Sequence, residues 1–322
     1  MTYKMSIKTD TSSDLPTADD GAIPVQIVLG TTLRKFVFER LIPNLAASTD
    51  QNLEIHLLDY SSSHAEKTFN VAANCQVFEH SRRKSTAGFG ENHNLIFERR
   101  NSRSPFIVLN PDTIVAKNSI DQLCLRMPSE HDDVALVEGR QWPFQHPKEY
   151  DSVTLQTPWA SGAFVLINGD FFDEVSGFDE RYFMYLEDVD LSWTAWQKGL
   201  KVLHEPSASC FHFSEGPFHR EDLESIEEIY GKVNFVRLLE KFFGVSGLRH
   251  AASVLSSEFG HVEAKATFIK AGFLKAFDEF SEVRNFSVTS TSSSDSEEDI
   301  LKDRAMPWIR VMGYNRFHKL RF

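Results

Sequence analysis

This sequence has little cysteine, no long apolar run and no surplus of positive charge. Its three cysteines (Cys75, Cys124 and Cys210) are odd in number and widely spaced over 322 residues. They make no disulfide framework and point to a reducing compartment. A membrane-spanning helix needs about 20 consecutive apolar residues, and none occurs; no signal-peptide pattern opens the chain. The expectation is a soluble, cytoplasmic protein. The net charge of -12 excludes a general nucleic-acid binder. Internal repeats are absent too.

What is present is apolar mass. With 41% apolar residues and 27 Phe the chain can build a sizeable core, and its length suits one large domain with an accessory region. Residues 1–21 are polar and without periodicity, as in a disordered tail. Ile23 to Leu29 fits a buried strand, and a helix should follow from Leu33 and kink or end at Pro43. Leu53 to Leu58 is a second buried strand, closed by Asp59 and a serine-rich loop. Strand, helix, strand with a carboxylate at the second strand's C-terminal edge is where α/β sheets place ligands. An Asx-turn would also account for Asp59.

Phe106 to Leu109 is a further strand, ending in Asn110-Pro111-Asp112-Thr113. Asp112 is a candidate ligand for a hard divalent cation, which takes oxygen donors and keeps substrate phosphates in its shell. A proline-initiated turn is the other account of these four residues. Asp121 to Met127 suggests a surface helix and Val134 to Val137 a strand, followed by an irregular loop from Gln141 to Tyr150.

The stretch from Trp159 to His212 is the densest in signals. Trp159 precedes an apolar strand, Ala163 to Ile167, and fits either a sugar-stacking platform or core packing. Glu187, Asp188 and Asp190 then open an amphipathic pattern of Val189, Trp193, Trp196 and Leu200, with Gly199 as its stop. Carboxylates at a helix N-terminus are favoured by the helix dipole, and capping by Asp188 or Asp190 would explain them as well. The dipole favours an ionised Asp188, whereas Glu187 and Asp190 disfavour it.

Gly177, Phe178, Asp179, Glu180, Phe183, Tyr185, Glu187, Asp188, Asp190, Leu191 and His212 together follow the pattern G-F-D-E-x-F-F-x-Y-x-E-D-x-D-L with a later histidine. In this the chain resembles glycosyltransferase family 2, in particular its bacterial rhamnosyltransferase-like and galactofuranosyltransferase-like members. The resemblance covers about residues 23–215. It implies an α/β fold of GT-A type, a Rossmann-like mixed sheet flanked by helices, over residues 22–215. It also implies an inverting transfer of a hexose from a nucleotide-sugar donor to a glycan or lipid-linked glycan acceptor. Asp188 would be the base that takes the acceptor proton, with Glu187 and Asp190 in support. Asp59 would meet the nucleotide base, and Gly88 and Asn94, matching G-F-x(4)-N, would stand near the donor diphosphate. Asp112, in the family's DxD position, and His212 would hold Mg²⁺ or Mn²⁺. Two departures stand out: Asp59-Tyr60-Ser61-Ser62-Ser63-His64 replaces D-N-x-S-x-D, and Thr194 stands where an arginine is frequent. A metal-dependent nucleotide-sugar hydrolase and a non-catalytic sugar-nucleotide binder are the competing readings.

Beyond Phe213 the pattern turns helical, giving an accessory region over 216–286. Residues 287–299 form a polar low-complexity linker. The last segment, 300–322, carries Arg304, Arg310, Arg316, Lys319 and Arg321 among aromatics. It suits contact with an anionic membrane surface, docking on the body of the protein, or docking on a second copy in a homo-oligomer.

Overall fold

A computed structural model describes residues 21–282, apart from 31, 60–66, 82–86, 101, 128–132 and 214–220. The expected tail, the serine-rich loop, the linker and the basic C-terminal segment lie outside the described residues. These residues form two compact units. The first holds the sheet. The second takes Pro147–Glu149, Met184–Leu186 and the described residues from Glu221 on.

The first unit is built on one sheet of nine strands, in the order β3-β4-β2-β1-β5-β8-β7-β9-β6. Strands β1 (Ile23–Leu29), β2 (Leu53–Asp59), β4 (Cys75–Ser81) and β5 (Phe106–Leu109) run parallel. β3 (Lys67–Ala72) pairs antiparallel with β4 at one edge. Past β5, β8 (Phe164–Ile167) runs antiparallel to both β5 and β7 (Val134–Trp142). β7 is parallel to β9 (Lys201–His212), and β6 (Thr113–Val115) closes the other edge antiparallel to β9. This is the mixed sheet expected.

Every residue of β2 is buried, as befits a strand covered on both faces. On one face Val25, Ile27, Leu29, Ile55 and Leu57 form a core with Val37, Leu41, Ile42 and Leu45. These last residues belong to a continuous helical run: α1 (Arg34–Phe36), a π-helical turn Val37–Leu41, and α2 (Ile42–Ser48). Pro43 therefore does not end the helix. It stands in the first turn of α2, where a missing N–H costs little, and the wider turn before it makes room for the ring.

The opposite face lies under α3 (Phe89–Arg100) and is partly polar. Gln26 bonds His93 Nδ1 at 3.0 Å, and His56 Nδ1 meets His80 Nε2 at 3.1 Å. Beside them, Phe97, Phe106, Phe172 and Phe178 pack edge-on or tilted, with centroids 4.9–5.3 Å apart. Such pairs are each worth about 0.5–1.5 kcal/mol beyond the burial itself. Much of the phenylalanine surplus is spent here.

Three strands carried no clear sequence signal. β4 places Gln76, Phe78 and His80 on one face, so it lacks a continuous apolar run. β3 is a short edge strand. β9 is interrupted by Glu205-Pro206-Ser207, where the register with β7 shifts, and proline is confined to such bulges. β7 runs on to Trp142, because Arg140, Gln141 and Trp142 pair with Ser209, Cys210 and Phe211. The helix expected at Asp121 to Met127 is α4, Ser119–Leu125.

The remaining helices of this unit are α5 (Gly169–Glu174), capped by the Asn168 side chain, and α6 (Glu187–Gln197). The second unit is helical, as its periodicity predicts: α7 (Glu221–Phe259), bent at Gly244, then α8 (His261–Ala271) and α9 (Leu274–Glu282). Buried Asn234 donates to the carbonyls of Met184 and Tyr185 at 2.8 Å each, which ties that short segment into this unit. Among the described residues no helix is long and apolar enough to cross a membrane.

Candidate active site

The acidic trio opens α6, as its pattern predicts, but its members differ in surroundings. Glu187 and Asp190 are buried, whereas Asp188 is half-buried. Two successive left-handed residues, Tyr185 (φ 70°) and Leu186 (φ 68°), lead into the helix. Non-glycine residues in this region cost about 1–3 kcal/mol each and cluster at functional sites. Burial, and next the charge of Asp188, push the Glu187 carboxyl well above its usual range, so it is held as the neutral acid. Its Oε2 is buried without a hydrogen-bond partner. Asp190 accepts from the Tyr182 hydroxyl at 3.3 Å.

Asp188 is held by main chain. Its Oδ2 accepts from Gly162 N at 2.9 Å and its Oδ1 from Val189 N at 2.8 Å. Gly162 ends a run of three consecutive amides, each taken by a different side chain. Ala160 N donates to Ser192 Oγ (3.0 Å), Ser161 N to Glu138 Oε2 (2.8 Å), and Gly162 N to Asp188. Ser192 Oγ in turn donates to the Asp188 carbonyl at 2.7 Å, and Glu138 Oε1 lies 3.2 Å from His204 Nδ1. The turn before β8 is thereby fixed against the first turn of α6.

The next residue links this turn to the second group. Ala163 O accepts from Asn110 N at 2.9 Å. Asn110 Nδ2 lies 3.2 Å from His212 Nε2, and His212 Nε2 lies 3.4 Å from Asp112 Oδ1. The register of β6 against β9 makes the pair, because Thr113 stands opposite His212. On its other side His212 Nδ1 meets Gln141 Oε1 at 2.9 Å. Asp112 and His212 are 17% and 16% exposed at the side chain, so both are partly open to a ligand. Among the described residues there is no cluster of three or more His, Cys, Asp or Glu side chains able to hold a metal. One carboxylate oxygen and one imidazole nitrogen at this separation nonetheless fit adjacent ligands of a small divalent cation whose shell is completed by phosphate and water.

The other predicted residues are placed as follows. Asp59 ends β2, fully buried, and accepts from Arg34 Nη1, which also reaches Glu79 Oε1 at 2.6 Å. These bonds, the one to Glu79 first, hold the Arg34 guanidinium above its ordinary pKa against the opposing effect of burial. Asn94 clamps the G-F-D-E loop: its Oδ1 accepts from Phe178 N (2.9 Å) and its Nδ2 donates to Phe178 O (2.9 Å) and Glu180 Oε1 (3.1 Å). Gly88 lies against the main chain of Phe183, where a Cβ would come within 2.2 Å of the carbonyl oxygen. Trp159 is buried and packs on His146 with centroids 4.9 Å apart. The structure thus brings Asp188, Asp112 and His212 onto neighbouring main chain, and gives Asn94, Gly88 and Trp159 packing partners. Arg34, Glu138, Gln141 and Ser192 were not singled out from sequence. Gln141 stands near the end of β7, but Arg34 and Ser192 lie in helices and Glu138 inside β7, positions that carry no sequence signal of a site.

The mixed sheet and its flanking helices have solved counterparts of GT-A type. The mannosyltransferase PcManGT from Pyrobaculum calidifontis, solved with GDP-Man and Mn²⁺, superposes with a TM-score of 0.52 over 89% of this chain and 85% of that chain, at 12% identity. GalNAc-T7, solved with UDP, GalNAc and Mn²⁺, gives 0.50 over 84% of this chain and 58% of that chain, at 15% identity. At such identities the likeness speaks for the fold. In sequence, the chain is 46% identical over 54 residues to the N-acetylglucosaminyl-diphospho-decaprenol L-rhamnosyltransferase of Mycobacterium tuberculosis. It is 34% identical over 68 residues to the rhamnosyltransferase WbbL of Escherichia coli K12. The fold is of GT-A type, and short stretches of the chain are similar in sequence to these rhamnosyltransferases. No family profile matches the chain. The match covers 17% of this chain and 18% of the mycobacterial protein, and 21% and 26% for the Escherichia coli protein, so the chain spans only a small part of the length of these relatives.

Proposed function

We propose that this chain transfers a sugar, rhamnose or a related hexose, from a nucleotide-diphosphate donor to a hydroxyl of a lipid-linked glycan, with inversion at the anomeric carbon. The observation that carries the reading is the hydrogen-bonded run from Asp188 through Gly162, Ala163 and Asn110 to His212 and Asp112. A half-buried carboxylate and an Asp–His pair, from separate elements, are linked by hydrogen bonds through the adjoining residues Gly162 and Ala163. The acceptor hydroxyl gives its proton to Asp188 as its oxygen bonds the anomeric carbon. The bond from that carbon to the diphosphate breaks, and the electron pair leaves with the diphosphate.

A positioned base contributes about 10²- to 10⁴-fold. Asp112 and His212 Nε2 would hold Mg²⁺ or Mn²⁺, which when bound supplies positive charge to the leaving diphosphate. Asp59 with Arg34 receives the base end of the nucleotide. Asn94 and Gly88 brace the loop that carries α6. Glu187 and Asp190 hold the start of that helix. The mycobacterial relative is an N-acetylglucosaminyl-diphospho-decaprenol rhamnosyltransferase, which supports a lipid-linked acceptor here.

The test is a transfer assay with a panel of nucleotide sugars, Mn²⁺, and a polyprenyl-diphosphate N-acetylglucosamine acceptor, with the product anomer assigned by NMR. Nucleotide release that depends on acceptor, with inverted product, is the expected result. Release at the same rate without acceptor would make the protein a hydrolase. Donor binding without any release would make it a non-catalytic binder.

A further inference from the structure

We propose that Gln141 is the positioning residue of His212: it fixes the imidazole as the Nδ1–H tautomer and so keeps the Nε2 lone pair directed to the Asp112 side. This rests on the reading of Asp112 and His212 as the cation-binding pair. Gln141 lies near the end of β7, is 3% exposed, and has its Oε1 2.9 Å from His212 Nδ1. A carboxamide oxygen only accepts, so Nδ1 must carry the hydrogen. On the far side of the ring, Asn110 Nδ2 stands 3.2 Å from Nε2, and an amide nitrogen only donates. Two independent amides therefore ask for the same tautomer. That tautomer puts the one Nε2 lone pair beside both the Asn110 amide, which donates to it here, and Asp112 Oδ1 at 3.4 Å; a cation held by the pair would take this lone pair in place of the Asn110 N–H. Outer partners of this kind fix the tautomer and ring orientation of metal-binding histidines.

Gln141 is itself held through its backbone N–H. Its N–H donates to Gln145 Oε1 at 2.7 Å, and Gln145 Nε2 donates to the Tyr150 hydroxyl at 2.7 Å. Tyr150 OH then donates to the carbonyl of His146 at 2.9 Å. The segment after β7 is a braced turn, and the Gln141 side chain has a fixed origin. Its Nε2 is buried without a hydrogen-bond partner. Retaining a glutamine here leaves an amide donor unsatisfied, which costs about 1–3 kcal/mol. A purely structural position would be served better by an apolar side chain of the same length.

The experiment compares wild type with Gln141→Met and Gln141→Glu, using ¹⁵N NMR of the His212 ring in metal-free protein and Mn²⁺ binding by electron paramagnetic resonance. His212→Ala assigns the signals, and thermal melts confirm folding. Wild type should show protonated Nδ1 and bare Nε2. Gln141→Met should move the hydrogen toward Nε2 and weaken Mn²⁺ binding about 10- to 100-fold, the usual cost of losing such a partner. Gln141→Glu keeps an acceptor for Nδ1–H and should keep both the tautomer and the affinity. A merely structural Gln141 would be harmed as much by the buried carboxylate as by methionine. The proposal is overturned if wild-type His212 carries its hydrogen on Nε2, or if Gln141→Met leaves tautomer and affinity unchanged. Absence of Mn²⁺ binding to wild type, with the Nδ1–H tautomer intact and sensitive to Gln141→Met, would instead count against the cation-binding pair.

Discussion

The backbone N–H of Gly162 donates to Oδ2 of Asp188 at 2.9 Å, and a Cβ at Gly162 would lie 3.8 Å from the Asp188 Cβ. The carboxylate is aimed by the turn before β8 rather than left to rotate at the helix mouth. This distinguishes Asp188 from an ordinary helix cap, whose oxygen would bond amides two or three residues on within its own helix.

Asp188→Asn should fold and bind donor as wild type does, because the amide oxygen can still accept from Gly162. Transfer should fall about 10²- to 10⁴-fold, the range expected when a positioned base is lost. Single-turnover rates together with donor affinity by calorimetry check this. Near wild-type transfer by the variant would move the role to another acid.

Asp112→Asn should weaken binding of the intact nucleotide sugar in Mn²⁺ while leaving the free nucleoside nearly unaffected. The carboxylate oxygen 3.4 Å from His212 Nε2 is the protein's one charged donor at this pair. In the proposed reading the nucleoside end is met by Arg34 and Asp59, which bond each other at another strand end. Parallel titrations of both ligands decide it: equal binding of each by variant and wild type would mean that Asp112 shapes only the turn.

Acid should unfold the protein through two buried histidines, His80 on β4 and His93 on α3. Burial foremost lowers His80 to about 3 and His93 to about 3 from the usual 6.5. Between those values the unfolded chain binds protons that the folded chain refuses, so stability falls as pH drops. Each group contributes a slope of up to about 1.4 kcal/mol per pH unit. Denaturant melts from pH 7 to pH 4 should show this loss, and His93→Gln should flatten the curve. An unchanged slope in that variant would mean that His93 is protonated in the fold.

The sheet was readable wherever a strand is apolar on both faces, as in Ile23–Leu29 and Leu53–Asp59. It was unreadable where burial and polarity coincide: β4 carries Gln76 and His80 in a buried layer, and β9 is cut by Pro206. In the candidate site, it was legible that Asp188 opens a helix and that Asp112 follows a strand, whereas the pairing of Asp112 with His212 was suggested only by the family resemblance. Their orientation was not, since it comes from the main chain of Gly162 and from Glu138 and Gln141, which spacing does not mark. Asn94 shows the reverse. Its position in G-F-x(4)-N was visible, but its contacts with Phe178 and Glu180 appear only in three dimensions.

Glu187 gives the last prediction, and its sign is opposite to that of the histidines. Its carboxyl is buried and pushed well above 4.5, first by desolvation and then by the charge of Asp188. The folded chain therefore keeps a proton that the unfolded chain releases above about pH 4.5. Stability from this group is full below that pH and is lost as pH rises toward the folded-state value. Glu187→Gln is neutral at every pH and close in size, so it removes that loss. The variant should melt higher than wild type at pH 7 and by a smaller margin at pH 4.5, with donor binding retained. Transfer should fall less than in Asp188→Asn, because Glu187 holds the start of α6 and takes no proton from the acceptor in the proposed reaction. Melting curves at the two pH values check the first part. A variant less stable than wild type at pH 7 would mean that Glu187 is ionised in the fold and stabilised by a partner.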